Sequence, residues 1–235
     1  MRALKSTLFA CVFYSGTVIL LIAALLALPF GSRSLRWVAH RWAQWHRLCC
    51  AAILGIRSVV IGTLPQTACI VAIKHQSFFE AIELLLLFDA PVVVLKRELI
   101  ALPVWGAAAR AFGVITVDRS QGAAALREML RGAQAAKAAG RPIIIFPEGT
   151  RTAPGDAPEL KSGLYALYKV LNLPIVPIAI DSGRLWPRRG PKCQGIVTWL
   201  IEATIPHGLP RADMETRVHT AINALNPSAS GEPDR

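Results

Sequence analysis

Acidic residues are scarce. The 235-residue chain carries 15 Asp and Glu against 26 Lys and Arg, a formal net charge of +11. A partner of negative sign is therefore indicated: nucleic acid, an anionic membrane or an acidic small molecule. Zinc-finger spacing and RNA-binding aromatic signatures are both missing, which sets nucleic acid aside. Cysteine is sparse and odd in number: Cys11, Cys49, Cys50, Cys69 and Cys193. No C-x-x-C pair occurs, the odd number suits no complete disulfide framework, and a reduced, cytoplasm-facing domain is the simplest reading. No His/Cys/Asp cluster has ligand spacing, so no metal is expected. No G-x-S-x-G elbow is present, which argues against a serine hydrolase. There is no internal repeat.

Apolar residues, by contrast, are abundant at 53%. Residues 8–30 hold no charge, a run about long enough to cross a bilayer core as a helix. Its length and the lack of a small-x-small cleavage site favour a retained segment, spanning or re-entrant, over a signal peptide. Arg33, Arg36, Arg41 and Arg47 follow it and Arg2 and Lys5 precede it. The positive-inside bias then predicts an inner (cytoplasmic) membrane location with the main domain facing the cytoplasm. Residues 31–55 form a second helix candidate. Leu35, Val38, Trp42, Trp45, Cys49 and Ala52 make one row, and Arg33, Arg36, His40, Gln44 and Arg47 the opposite one. A basic face with tryptophans suits the surface of an anionic bilayer, although an ordinary surface helix packed on the core has the same pattern.

From residue 68 the pattern alternates. Strands are predicted at 68–73, 91–95, 114–117, 142–146, 174–180 and 195–201. Helices are predicted at 78–88, 103–111, 120–139, 160–171 and 214–225. This alternation predicts an α/β fold, a largely parallel sheet covered by helices, preceded by apolar and amphipathic membrane helices. The expected division is 1–58 for the membrane helices, 59–225 for the main domain and 226–235 for a disordered tail.

Ligand sites in such sheets lie beyond the carboxyl ends of the strands. Three polar stretches follow predicted strands: His75, Asp118-Arg119 and Pro147-Glu148-Gly149. In the first, residues 74–80 read Lys-His-Gln-Ser-Phe-Phe-Glu. Here His75 is a candidate general base, with Glu80 fixing its tautomer and stabilising the imidazolium. The same residues read as an S-x-x-E capping box, with Ser77 as N-cap and Glu80 reaching back to a main-chain N–H. Both readings can hold at once.

Four blocks together resemble the glycerolipid acyltransferase family, whose best-known members are the 1-acylglycerol-3-phosphate acyltransferases. His75-Gln76-Ser77-Phe78-Phe79-Glu80 resembles the family's H-x-x-x-x-D, with Glu in place of Asp. Residues 113–119, GVITVDR, resemble G-x-I-x-x-D-R. Residues 146–151, FPEGTR, match the family's block outright, and residues 176–180 form a fourth. The resemblance covers residues 68–204. It implies a glycerol-3-phosphate acyltransferase-like fold. The implied reaction moves an acyl group from acyl-CoA or acyl-carrier protein, as co-substrate, to the hydroxyl of lysophosphatidic acid, with no cofactor. His75 and Glu80 become the catalytic pair. Arg119, Arg151 and Lys161 become phosphate ligands, with Gly149 and Thr150 at the acceptor and Glu148 either accepting from an acceptor hydroxyl or fixing a nearby Arg. Basic residues Lys96, Arg97, Arg188, Arg189 and Lys192 are candidates for meeting the carrier or anionic lipid. Rival readings are the same chemistry on another lyso-lipid, such as a lyso-ornithine lipid, a lipid hydrolase, or an inactive membrane-bound binding protein of the same fold.

Overall fold

A computed structural model describes residues 1–65, 67–101, 105–118 and 121–227, without the side chains of Leu99 and Trp105. Helix α1 (Arg2–Ala27) and helix α2 (Gly31–Cys49) are joined by a single 3-10 turn at Leu28–Phe30, where Pro29 ends the first helix. The two helices form a hairpin. Trp42 Nε1 donates to Thr17 Oγ1 at 3.1 Å and Trp45 Nε1 to the Phe13 carbonyl at 3.3 Å. The end of α1 near Phe9 and Phe13 is buried against the main domain. Its outer residues, among them Tyr14, Val18, Ile22 and Leu26, are exposed, as is Phe30 in the turn. A π turn, Cys50–Leu54, and Gly55 in the left-handed region lead into the sheet.

The sheet has seven strands: β1 (Ile56–Ile61), β2 (Ile70–Ile73), β3 (Val92–Lys96), β4 (Ile115–Val117), β5 (Ile143–Ile145), β6 (Ile175–Ile180) and β7 (Gly195–Ile201). Their order is β1-β7-β6-β2-β5-β3-β4, with every pair parallel except β6 and β7. The strands β2, β5 and β6 are buried on both faces, as expected for strands covered by helices. Alternation still sorts their side chains. Val71, Ile73, Ile144, Val176 and Ile178 face the hairpin and helix α3 (Phe79–Leu87). Ile70, Ala72, Ile143, Ile145 and Ile175 face α6 (Ala123–Ala138), α7 (Gly163–Leu171) and α8 (Arg211–Ile222). The short helices α4 (Arg97–Ile100) and α5 (Trp105–Phe112) lie between β3 and β4, and α2 packs on α5.

The sheet is largely parallel, as expected, and two details go beyond the sequence reading. The segment 56–61 is a strand, so β1 straddles the boundary expected at 58/59. It is an edge strand with three exposed apolar residues, Val59, Val60 and Ile61, and so has no clean alternation to read. The sheet is also mixed. After β6 the chain reverses through residues 181–194, and β7 and β1 run opposite to the other five strands. Most of the expected tail, residues 228–235, lies outside the described residues.

Candidate functional site

The site is built on the carboxyl ends of β2, β5 and β6. After β2 the chain turns through residues 74–78 into α3, which brings Glu80 back beside His75. His75 Nδ1 lies 3.0 Å from Glu80 Oε1. Glu80 is fully buried (0% exposed) and takes four further donors. Oε1 accepts the main-chain N–H groups of Gln76 and Ser77, each at 2.6 Å. Oε2 accepts the hydroxyls of Ser77 at 2.6 Å and Ser182 at 2.7 Å. Burial pushes the Glu80 carboxyl up. The His75 contact and the Ser77 hydrogen bonds outweigh it and hold the group below the ordinary carboxylate range.

This settles the tautomer. An ionised carboxylate only accepts, so Nδ1 of His75 carries the proton. In the neutral ring Nε2 then holds the lone pair, and it has no hydrogen-bond partner among the described residues. The ring is 19% exposed. Its face stacks on Phe146, with centroids 4.1 Å apart and planes 26° from parallel. The imidazole is therefore fixed in rotation and open at its basic nitrogen, the arrangement a general base requires.

The capping geometry is present too, shifted by one residue. Helix α3 starts at Phe79 with Phe78 at the cap position, so Ser77 precedes the cap. Its Oγ still accepts the Phe79 N–H at 3.1 Å, while Glu80 accepts the Ser77 N–H. One carboxylate thus stabilises the helix start and orients the histidine.

The main chain of His75 is clamped from the 147–152 turn. Glu148 Oε2 accepts the His75 N–H at 3.0 Å. Thr152 donates its N–H at 2.7 Å and its hydroxyl at 3.2 Å to the His75 carbonyl. Glu148 is buried (2%), and its Oε1 takes the Lys74 ammonium at 2.6 Å and the Thr152 hydroxyl at 3.3 Å. The Glu148 carboxylate thus lies inside the protein, with both oxygens bonded to neighbouring residues. Lys74, also 0% exposed, further donates to the Asp156 carbonyl and to Asn223 Oδ1 at the end of α8, each at 2.6 Å. Three acceptors satisfy its three protons, which is what a buried ammonium needs.

Gly149 sits in the same turn with φ of +72°, a left-handed conformation that favours glycine. Thr150 and Arg151 follow at the surface. Arg151 has no ion-pair or hydrogen-bond partner among the described residues, and it adjoins Thr152, which grips His75. Lys161 is exposed, and its N–H is held by the Pro147 carbonyl at 2.8 Å, which keeps it beside the turn. Arg119 lies outside the described residues. Its neighbour Asp118 accepts from Arg97 at 3.2 Å. Lys192 is partly covered, with its ammonium 4.6 Å from the Trp186 ring centroid.

Sequence reasoning missed the inner supports. Ser182 and Gly183 follow β6. The Gly183 N–H donates to the buried Gln76 side chain at 2.9 Å. A Cβ on Gly183 would come within 3.0 Å of both Gln76 and Pro154, so the turn packs directly on the site. The position of these residues just past a strand was the signal available for them.

Comparison with known proteins bears on the family and the fold. A family described as Acyltransferase matches residues 57–181. The chain is 34% identical over 196 residues to a 1-acyl-sn-glycerol-3-phosphate acyltransferase of Pseudomonas aeruginosa, covering 80% of this chain and 75% of that protein. It is 31% identical over 179 residues to the alpha 1-acyl-sn-glycerol-3-phosphate acyltransferase of Mus musculus, covering 74% of this chain and 62% of that longer protein. The crystal structure of the 1-acyl-sn-glycerophosphate acyltransferase of Thermotoga maritima superposes with a TM-score of 0.70 over 95% of both chains, at 20% identity, which shows a shared fold. A family match over more than half its length, and a relative of this similarity across four fifths of it, show that the chain holding His75 against Glu80 belongs to the acyltransferase family.

Proposed function

We propose that this protein transfers an acyl group from an acyl thioester to the free hydroxyl of 1-acylglycerol-3-phosphate, giving phosphatidic acid in phospholipid biosynthesis. The observation that carries the reading is the buried, ionised Glu80 on Nδ1 of His75, which leaves Nε2 as the open base. As the acceptor oxygen attacks the thioester carbon, Nε2 takes the hydroxyl proton. Glu80 stabilises the resulting imidazolium. When the C–S bond breaks, the departing thiolate takes the proton from His75, which restores the neutral ring. The acceptor supplies the nucleophile, so none is required of the enzyme.

Arg151, Arg119 and Lys161 bind the acceptor phosphate in this proposal, and Gly149 and Thr150 line its approach. Glu148 acts from inside, through the main chain of His75. The thioester is carried by coenzyme A or acyl-carrier protein. Residues 1–58 bed the protein in a cytoplasmic membrane, with the catalytic domain in the cytoplasm. Among the described residues one helical stretch is apolar and long enough to cross a membrane. However, Ser6 near the start of α1 accepts the Lys192 N–H at 2.9 Å, so both ends of the hairpin lie against the catalytic domain. This supports a hairpin that dips into the bilayer rather than a single crossing.

The test is acyl transfer from a labelled thioester to lysophosphatidic acid and, separately, to a lyso-ornithine lipid. Product with the phosphate acceptor, lost in His75→Ala, is expected. Transfer only to the lyso-ornithine lipid would overturn the acceptor assignment, and an active His75→Ala would overturn the base.

A further inference from the structure

Glu80 is not the only buried acid on α3. Glu83, one turn on, is also 0% exposed, and it faces the hairpin. Arg47 of α2 donates Nε to both Glu83 oxygens at 3.2 Å and Nη2 to Oε2 at 2.9 Å. Ser58 of β1 donates its hydroxyl to Oε2 at 3.0 Å. His46, 0% exposed among the rings of Phe9, Phe13, Phe79 and Trp186, has Nδ1 3.9 Å from Oε1. No Asp or Glu precedes Glu80 in the chain, so the cations of the hairpin find no acid within it. The tie that Arg47, itself 48% exposed, makes to a buried acid runs to the helix that carries Glu80.

A buried carboxylate left without its cation is costly, so Glu83 must keep company with Arg47. Residues three apart share a helix face and move as one. Any shift of α2 that carries Arg47 therefore carries Glu83, and with it Glu80. The His75–Glu80 contact is short, and misplacements of about 1 Å are enough to cost rate.

We propose that Arg47 and Glu83 are positioning residues for the reaction: they fix α3 against the N-terminal hairpin and thereby hold Glu80 in register with His75. This rests on the reading of His75 and Glu80 as the proton-transfer pair. Neither Arg47 nor Glu83 touches substrate; they act through Glu80.

The experiment is a kinetic cycle in full-length, membrane-associated protein, using steady-state transfer of labelled acyl groups to lysophosphatidic acid at varied acceptor concentration. Glu83→Gln is expected to lower kcat about tenfold with KM for the acceptor unchanged within about twofold. In a Glu80→Gln background it should cost no further rate, because the residue it acts through is already lost. Should Glu83→Gln fail to fold, the paired change Arg47→Met with Glu83→Leu replaces the ion pair by apolar groups of similar size. The same lowered kcat and the same absence of a further loss are expected of it. A wild-type kcat in a folded variant, or losses that multiply with Glu80→Gln, would overturn the positioning role alone. A fully active Glu80→Gln enzyme would overturn the reading of the pair, and this inference with it.

Discussion

Phe146 lies flat against His75, its ring 4.1 Å from the imidazole between centroids. The stack joins the first residue of the FPEGTR block to the histidine of the first block, across 71 residues of sequence. Phe146→Ala should lower kcat about tenfold by freeing the ring's rotation, with acceptor KM little changed. Phe146→Leu, which keeps bulk but no flat face, should fall between. Equal kcat for wild type and Phe146→Ala would show that Glu80 alone holds the ring.

Glu80→Gln separates structure from chemistry. Gln can turn its oxygen to the Gln76 and Ser77 N–H groups and its amide to the serine hydroxyls, so the protein should fold. It loses several charge-assisted bonds, a cost of about 2–4 kcal/mol, more than the roughly 1 kcal/mol of a simple helix cap. Activity should drop by roughly 100-fold or more, since an amide cannot stabilise the imidazolium. Tm and kcat measured on one preparation test both halves.

The same carboxylate sets a pH dependence. Its folded pKa is lowered, so its stabilising contribution is present above the ordinary carboxylate range and is lost as pH falls through the lowered folded value. Wild-type Tm should therefore fall on acidification by more than that of Glu80→Gln. Parallel curves would mean that Glu80 is not ionised in the folded protein.

Glu148 and Arg151, three residues apart, should behave in opposite ways. Lys74→Met strands a buried carboxylate and should cost about 3–5 kcal/mol, part of it recovered when Glu148→Gln is added. In Glu148→Gln, kcat should fall and acceptor KM should stay within about twofold. Arg151→Ala should instead raise KM and lower kcat/KM by roughly 10–100-fold at unchanged Tm, with partial recovery in Arg151→Lys. A raised KM in Glu148→Gln would return that residue to the substrate.

Membrane attachment should resist high salt, which screens charge but does not extract apolar surface. Sedimentation after a salt wash, compared with a detergent wash, tests it. Release by salt alone would leave only the basic face as an anchor.

Much of this was legible because local pattern and tertiary role coincide. Buried runs such as 70–73 and 143–145 are apolar throughout, and the five-residue gap from His75 to Glu80 is what a strand-turn-helix needs to bring them together. What could not be read depends on chain direction and on distant partners. The reversal before β7 leaves no local mark in an apolar strand that would look the same either way round. Lys74 and Glu148 look like exposed charges in sequence. Only the fold supplies Asn223, Asp156 and the His75 N–H that make their burial tolerable. Ser182 bonds Glu80 across 102 residues, a pairing no local pattern encodes.

The direction of β1 and β7 has one more result. Because both run against the other strands, Ile56, where the hairpin enters the sheet, pairs with Gly195 near the edge at which β2 and β6 end. The attachment and His75 thus share one rim of the molecule. With β1 reversed, the hairpin would hang from the far rim, and a lipid acceptor would have to leave its leaflet to be acylated. As built, and with the hairpin bedded in lipid as proposed, the acceptor reaches the histidine by lateral diffusion. Turnover then answers to the mole fraction of lysolipid in the surface rather than to its concentration in the bulk.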